Sequence, residues 1–290
     1  MSLVLTNSQL SFLEKLACFR YLTAQQCLDL GISQNLNSVR SNVINKLFKR
    51  SRPLIERGSF GQELPGKGGR IPYVHCLTKH GAGIIADYWQ VPEDQILFPV
   101  GGIQFARDVL HRIATIDCHI QIRDWLNGIG GTVEISDWYF DKTGSQKRGG
   151  SLEASTRVYS PELLSRGLHS KWCEPDGIVG LQIGNVSILY VLEVHCFPDT
   201  GRITEQLTNH ITLLKNGAIA KKYRSENSQL VLSVHEHKST FESVKARLQG
   251  TLGFDEVAND VVFNRLDQIK NDITQGWVYA DGRPANPFPR

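Results

Sequence analysis

The stretch that decides the second half of this chain is "EPDGIVGLQIGNVSILYVLEVH", residues 174–195. Two runs of aliphatic and β-branched residues flank Gly184-Asn185, which reads as a β-hairpin. Asp176 stands near the start of the first strand and Glu193 near the end of the second. Two carboxylates on adjacent strands can converge on one hard cation, because Mg²⁺ wants oxygen ligands and commonly takes only one or two from protein. An ion so held polarises a scissile phosphate and generates hydroxide. Solvent-facing strand ends are the ordinary alternative, and strand register, which the sequence leaves open, separates the two.

Outward from the hairpin, "IQFARDVLHRIATIDCHIQIRDWLNG" (103–128) reads as a helix with Val109, Leu110, Ile113, Ile116, Ile120 and Leu126 on its apolar stripe. A strand "GTVEISDWYF" follows, then a long stretch from Asp141 to Lys171 of little periodicity, expected to be a loop with short structured pieces. Downstream, "TGRITEQLTNHITLLKNGAIAKKY" carries Ile203, Leu207, Ile211 and Leu214 inward. Strand "QLVLSVHE" and helix "STFESVKARLQ" come next, and the last forty residues read as a helix and a packed tail. This succession predicts an α/β sandwich with a mixed central sheet.

The first ninety residues differ in kind. Thr6 with Gln9 and Thr23 with Gln26 have capping-box spacing at the heads of two helices. In "SVRSNVINKLFKR", Val39, Val43, Ile44, Leu47 and Phe48 share one face, while Ser38, Ser41, Asn42, Asn45 and Lys49 project from the other; Arg40 falls toward the apolar side. Strand "PLIERGSF", loop "GQELPGKGG", strand "RIPYVHCL" and a helix capped by Thr78 complete the order helix, helix, helix, strand, wing, strand, helix, that of a winged helix-turn-helix. An amide-rich, basic helix suits the major groove, where amides read adenine edges and cations hold phosphates.

Charge supports double-stranded DNA as the partner. Between Arg40 and Lys79 lie nine basic residues, Arg50, Arg52, Lys67 and Arg70 among them, against Glu56 and Glu63, an excess of seven where the whole chain has +3. Such local concentration supplies the counterion-release part of DNA affinity. A solvated face of a protein–protein module is the competing reading. The predicted plan is therefore a winged helix over 1–90, a Pro- and Gly-containing linker over 91–102, and a second domain over 103–290.

The six cysteines have no zinc-site spacing among themselves and read as reduced thiols. No leader or membrane-spanning run stands out, so a cytoplasmic protein without a membrane partner is expected. Neither a phosphate-binding Gly-rich loop nor a G-x-S-x-G elbow is found, and the eight tyrosines include no cluster of the kind a tyrosine relaxase carries.

"EPDG" followed after a hairpin by "LEVH" resembles the PD-(D/E)xK signature of restriction-endonuclease-like nucleases, and Gln206 with His210 is an approximate version of the Gln-x-x-x-Tyr feature of some of them. Together with "LSFLEKLACFRYLTAQQCLDL", "GRIPYVHCLTKHGAGIIA" and "VLHRIATIDCHIQI", the chain is similar to the replication-relaxation family of plasmid and mobile-element proteins, which includes MobC-type mobilisation relaxases. The resemblance implies a winged helix that finds a DNA site and a nuclease-like domain that nicks it. Other replication or mobile-element proteins would be partners, and a homodimer is compatible with it.

Carried over residue by residue, Asp176 and Glu193 match the metal-binding acids for Mg²⁺ or Mn²⁺, and His195 stands where the motif has lysine. Asp117, on the preceding helix with His111, is a candidate further acid. Histidine lacks the permanent charge of lysine but can act as a base; Arg202 or Lys215 is an alternative cation. A DNA-binding replication or transcription factor with a degenerate nuclease-fold domain is the competing expectation.

Overall fold

The computed structural model describes residues 4–60, 70–99, 102–103, 108–144, 152–165, 171–225 and 229–289. The chain divides into two compact units, Met1–Asp117 and Cys118–Arg290. The division falls inside the long helix Val109–Gly128, not at the 91–102 connector where the sequence places it. The reason is local: the first half of that helix binds the first unit, with Gln26 Nε2 donating to Ile113 O (3.1 Å) and the Arg112 guanidinium 5.0 Å from the Tyr21 ring.

In the first unit, α1 (Asn7–Phe19) and α2 (Ala24–Asp29) open on the expected capping boxes, Thr6 with Gln9 and Thr23 with Gln26, each side chain satisfying the other's backbone amide. Between them Leu22–Thr23 forms a two-residue strand, β1. The third helical stretch has three parts: α3 (Leu36–Ser38), a π-helical segment Val39–Ile44, and α4 (Asn45–Phe48). Strands β2 (Ile55–Gly58) and β3 (Val74–Leu77) pair antiparallel, and β3 also takes β1 on its other edge, before α5 (Lys79–Trp89). Phe12, Leu13, Leu16, Leu47, Leu54 and Ile55 are fully buried beneath these elements.

The π segment explains one departure from the sequence reading. A π-helix carries an extra residue per turn, so a projection at 3.6 residues per turn loses phase. Arg40, placed near the apolar side by that projection, is exposed.

The second unit is built on a mixed α/β arrangement. Helix α6 (Val109–Gly128) leads into β4 (Thr132–Trp138). The short structured pieces expected between Asp141 and Lys171 include β5 (Lys142–Gly144) paired with β6 (Leu152–Ala154), β7 (Val158–Tyr159) and α7 (Pro161–Ser165), and just beyond them β8 (Trp172–Cys173) pairs with β7. The hairpin is β9 (Gly177–Ile183) and β10 (Val186–His195), with Gly184 at positive φ in its turn. Then come α8 (Thr200–Lys215), α9 (Ala218–Tyr223), β11 (Gln229–His235), α10 (Lys238–Gln249), β12 (Val261–Arg265) and α11 (Leu266–Asn271).

Among the described residues the central sheet has five strands in the order β12-β11-β10-β9-β4. β9 is antiparallel to both neighbours, while β10, β11 and β12 are parallel. The expected mixed sheet is present, and β12 is a strand where the sequence suggested only helix and tail. On one face Leu189 and Val191 pack with Ile203, Leu207 and Ile211 of α8 and Val244 and Leu248 of α10. Gly177 directly follows Asp176 for a steric reason: a Cβ there would stand 2.5 Å from the Trp138 ring. No helix among the described residues is long and apolar enough to cross a membrane.

Candidate metal centre

Burial decides against the solvent-facing alternative that the sequence leaves open. The antiparallel β9–β10 ladder ends at the pair Leu192–Gly177, and Asp176 and Glu193 stand just beyond that last pair. Neither acid is a solvent-facing strand end; Asp176 is 7% exposed and Glu193 1%. Asp176 Oδ2 accepts the backbone N–H of Val194 at 2.7 Å, and Asp176 N donates to Leu192 O. The aspartate therefore ties the start of β9 to the end of β10.

Glu193 faces the side of the sheet covered by α8. Its Oε1 lies 2.6 Å from Nε2 of His210, which is fully buried, and the same Nε2 is 3.7 Å from Sγ of Cys173 on β8. These three ligand atoms lie within 4.8 Å of one another, and among the described residues this is the group able to hold a metal ion. Burial opposes charge on His210, but Cys173 and Glu193 together lift its pKa well above the ordinary histidine value.

This convergence limits the chemistry. A nucleophile–histidine–acid relay needs its two partners on opposite ring nitrogens. Here sulfur and carboxylate meet the same nitrogen. One N–H proton can point at only one of them, whereas a cation in its place would meet both, so the arrangement could hold a metal ion.

His195 lies two residues beyond Glu193, on the same face of β10, 6% exposed. Its ring centroid is 4.7 Å from that of His235, its register partner on β11. His235 receives a 2.9 Å contact from Ser233 Oγ, and burial, aided by the charge of Lys245, lowers its pKa to about 3. Gln206 is half-buried one turn before His210 on α8.

Three further candidates are engaged in other contacts. Asp117 accepts a 2.7 Å hydrogen bond from Gln26 Nε2 and is not part of the metal-compatible group, so its carboxylate serves to fasten a helix of the first unit. Lys215 is paired with Glu256 at 2.5 Å, and the backbone N–H of exposed Arg202 donates to Asp199 at the head of α8. Cys173 and His210 are the candidate ligands that sequence reasoning did not assign; the available signal was a histidine inside the Ile203–Leu207–Ile211 apolar stripe.

In the first unit Ser41, Asn42, Lys49, Arg52 and Arg70 are exposed, while Ser38, Asn45 and Arg50 are half-buried. Some are already engaged: Ser41 Oγ donates to Asn37 O, Asn42 Nδ2 to Ser38 Oγ, and Arg50 to Val4 O. Lys67 lies outside the described residues. A cleft of about 540 Å³ runs beside the π segment, lined in part by Arg40, Asn45, Arg57, Arg70 and Tyr73. Arg57 lies 4.8 Å from the Phe48 ring and 4.6 Å from the Tyr73 ring, which fixes its guanidinium at the cleft wall.

Known proteins add nothing to this picture. Comparison with protein-family models, with curated proteins and with solved structures finds no match. The functional reading rests on the chain's own residues.

Proposed function

We propose that the chain binds double-stranded DNA through a winged helix in its first unit and nicks DNA at a metal centre in its second, in the manner of the plasmid relaxases and restriction-endonuclease-like proteins its sequence resembles. The observation that carries this reading is the buried group of Cys173, Glu193 and His210, which could hold a metal ion beside Asp176 at the end of the β9–β10 hairpin.

In this reading Cys173, Glu193 and His210 hold the ion. A bound ion supplies a Lewis acid for a phosphoryl oxygen and lowers the pKa of attacking water. Asp176 positions the end of β10 through the Val194 amide. His195, on the face of Glu193, is the residue placed to assist the attacking water.

The donor set does not suit the ions that the resemblance implies. Mg²⁺ and Mn²⁺ favour carboxylate, carbonyl and water oxygens, whereas two of these three ligands are a thiol and an imidazole. No step is assigned to either ion.

One observation favours a second reading. Cys173, Asp176, Glu193, His195 and His210 are all at most 7% exposed, so a phosphodiester reaches them only after an opening of their cover. A DNA-binding factor whose nuclease-like unit is closed around a structural ion would show the same burial.

Purified protein supplied separately with Zn²⁺, Mg²⁺ and Mn²⁺ separates the readings on supercoiled plasmid. The nuclease reading expects open circles, reduced at least about 100-fold by Glu193→Gln, the size of a several-kcal/mol Lewis-acid contribution. Plasmid bound but left supercoiled with all three ions overturns it in favour of the factor.

The first unit has its own test. Lys49→Ala with Arg52→Ala is expected to weaken DNA binding and lower the slope of log affinity against log salt by about 2, near 0.9 for each phosphate contact. An unchanged slope, measured by fluorescence anisotropy across salt concentrations, would remove these residues from the interface.

A further inference from the structure

We infer that the centre formed by Cys173, Glu193 and His210 is a zinc site: it takes one ion of the Zn²⁺ class, held by three side chains, and not the Mg²⁺ or Mn²⁺ of a two-carboxylate nuclease. This assignment stands on the geometry of the second unit and does not depend on whether DNA is cut.

The first argument is donor chemistry. Thiolate, imidazole and carboxylate are the three protein ligands of Zn²⁺, and a thiolate sulfur selects against Mg²⁺. The three come from three elements, β8, β10 and α8, far apart in sequence. The absence of any C-x-x-C spacing therefore says nothing against a zinc site of this kind.

The second is distance. Tetrahedral Zn²⁺ with Zn–S near 2.3 Å and Zn–N near 2.05 Å separates sulfur and nitrogen by about 3.6 Å. Cys173 Sγ and His210 Nε2 are 3.7 Å apart. The nitrogen–oxygen edge of such a site is about 3.3 Å, so Glu193 Oε1, now 2.6 Å from Nε2, must draw back slightly when the ion replaces the proton between them. Rotation of one carboxylate supplies that movement without disturbing the β10 ladder.

The third is burial. Cys173, Glu193 and His210 are 6%, 1% and 0% exposed. Buried charged and polar groups persist when they are paired or coordinate a metal. A bare His210–Glu193 pair leaves the thiol without a strong partner, and the ion satisfies all three. Three protein ligands leave one tetrahedral position for a non-protein ligand, the coordination number of zinc sites that act on a substrate.

The test measures the ion directly. Full-length protein, expressed in zinc-supplemented medium and freed of loose metal, is expected to carry about one zinc per chain by elemental mass spectrometry. Exchange with Co²⁺ should produce an intense thiolate-to-cobalt absorption band. Cys173→Ser should keep the fold, lose that band and weaken the metal by more than about 100-fold, beyond the 10- to 100-fold typical of outer-shell changes.

Because His210→Ala risks misfolding, the wild-type stoichiometry and the cobalt spectrum decide the matter without it. Chain free of zinc and giving no cobalt band overturns the proposal, and so does one bound cobalt without a thiolate band. Zinc bound at one per chain with no nicking in any ion would leave this inference standing and remove only the nuclease reading.

Discussion

Glu193→Ala is expected to destabilise the second unit by about 3–5 kcal/mol, the cost of removing one partner from a buried ion pair and stranding the other. The stranded group is His210, fully buried, with its Nε2 2.6 Å from the missing carboxylate. Glu193→Gln keeps an oxygen at that position and should recover about half of the loss. The linkage has a definite sign. The folded-state pKa of His210 is raised, so in metal-free protein the pair contributes fully below pH 6.5 and its contribution is lost as pH rises through that raised value. The gap between wild type and Glu193→Ala should therefore narrow in alkaline solution. Native-state hydrogen exchange on β10 and β11, after chelation, checks both statements. A gap below 1 kcal/mol at pH 6 would mean that the pair does not hold these strands.

The second large effect has the opposite sign and sits in the first unit. His75 on β3 is 2% exposed; its Nδ1–H donates to Leu22 O at 3.1 Å and its ring meets Phe12 edge-on. Burial, with a smaller contribution from the charge of Arg57, lowers its pKa to about 4. A histidine depressed in the folded state loses stability as pH falls, because the unfolded chain takes up a proton that the folded chain refuses. The window runs from pH 6.5 down to 4. The expected loss is about 2 kcal/mol between pH 7 and 5 and about 3 kcal/mol by pH 4, at 1.36 kcal/mol for each pKa unit. His75→Asn, which retains a donor to Leu22, should flatten that part of the pH dependence. Hydrogen exchange of peptides covering β3 is the readout, and equal slopes in wild type and variant would refute the assignment.

These two histidines show what was legible from sequence and what was not. The capping boxes at Thr6 and Thr23 were readable because the interacting groups are three residues apart, and the hairpin at Gly184 because its turn and alternation are local. Asp176 and Glu193 were readable as a pair for the same reason: one hairpin joins them. Cys173 and His210 were not. Cys173 lies at the end of a stretch with little periodicity, and it reaches the site through the short β7–β8 pairing. His210 reaches it through the packing of α8 on the sheet, a contact that no spacing rule encodes.

His195 stands where the resembled motif has lysine, and its neighbour His235 is set by the parallel β10–β11 register, which the sequence does not encode. Arg40 was misplaced because the π segment breaks the helical phase. Asp117 was grouped with the second domain because its helix looked continuous; Gln26, 91 positions earlier, claims its carboxylate.

The central claim is that Glu193 meets a metal ion in company with Cys173 and His210. Anomalous diffraction from crystals of the full chain, collected on both sides of the zinc absorption edge, tests it most directly. The account predicts one peak, about 2.0–2.3 Å from Cys173 Sγ, Glu193 Oε1 and His210 Nε2. A clean map at that position in zinc-replete crystals, with the Glu193–His210 hydrogen bond intact, would contradict it.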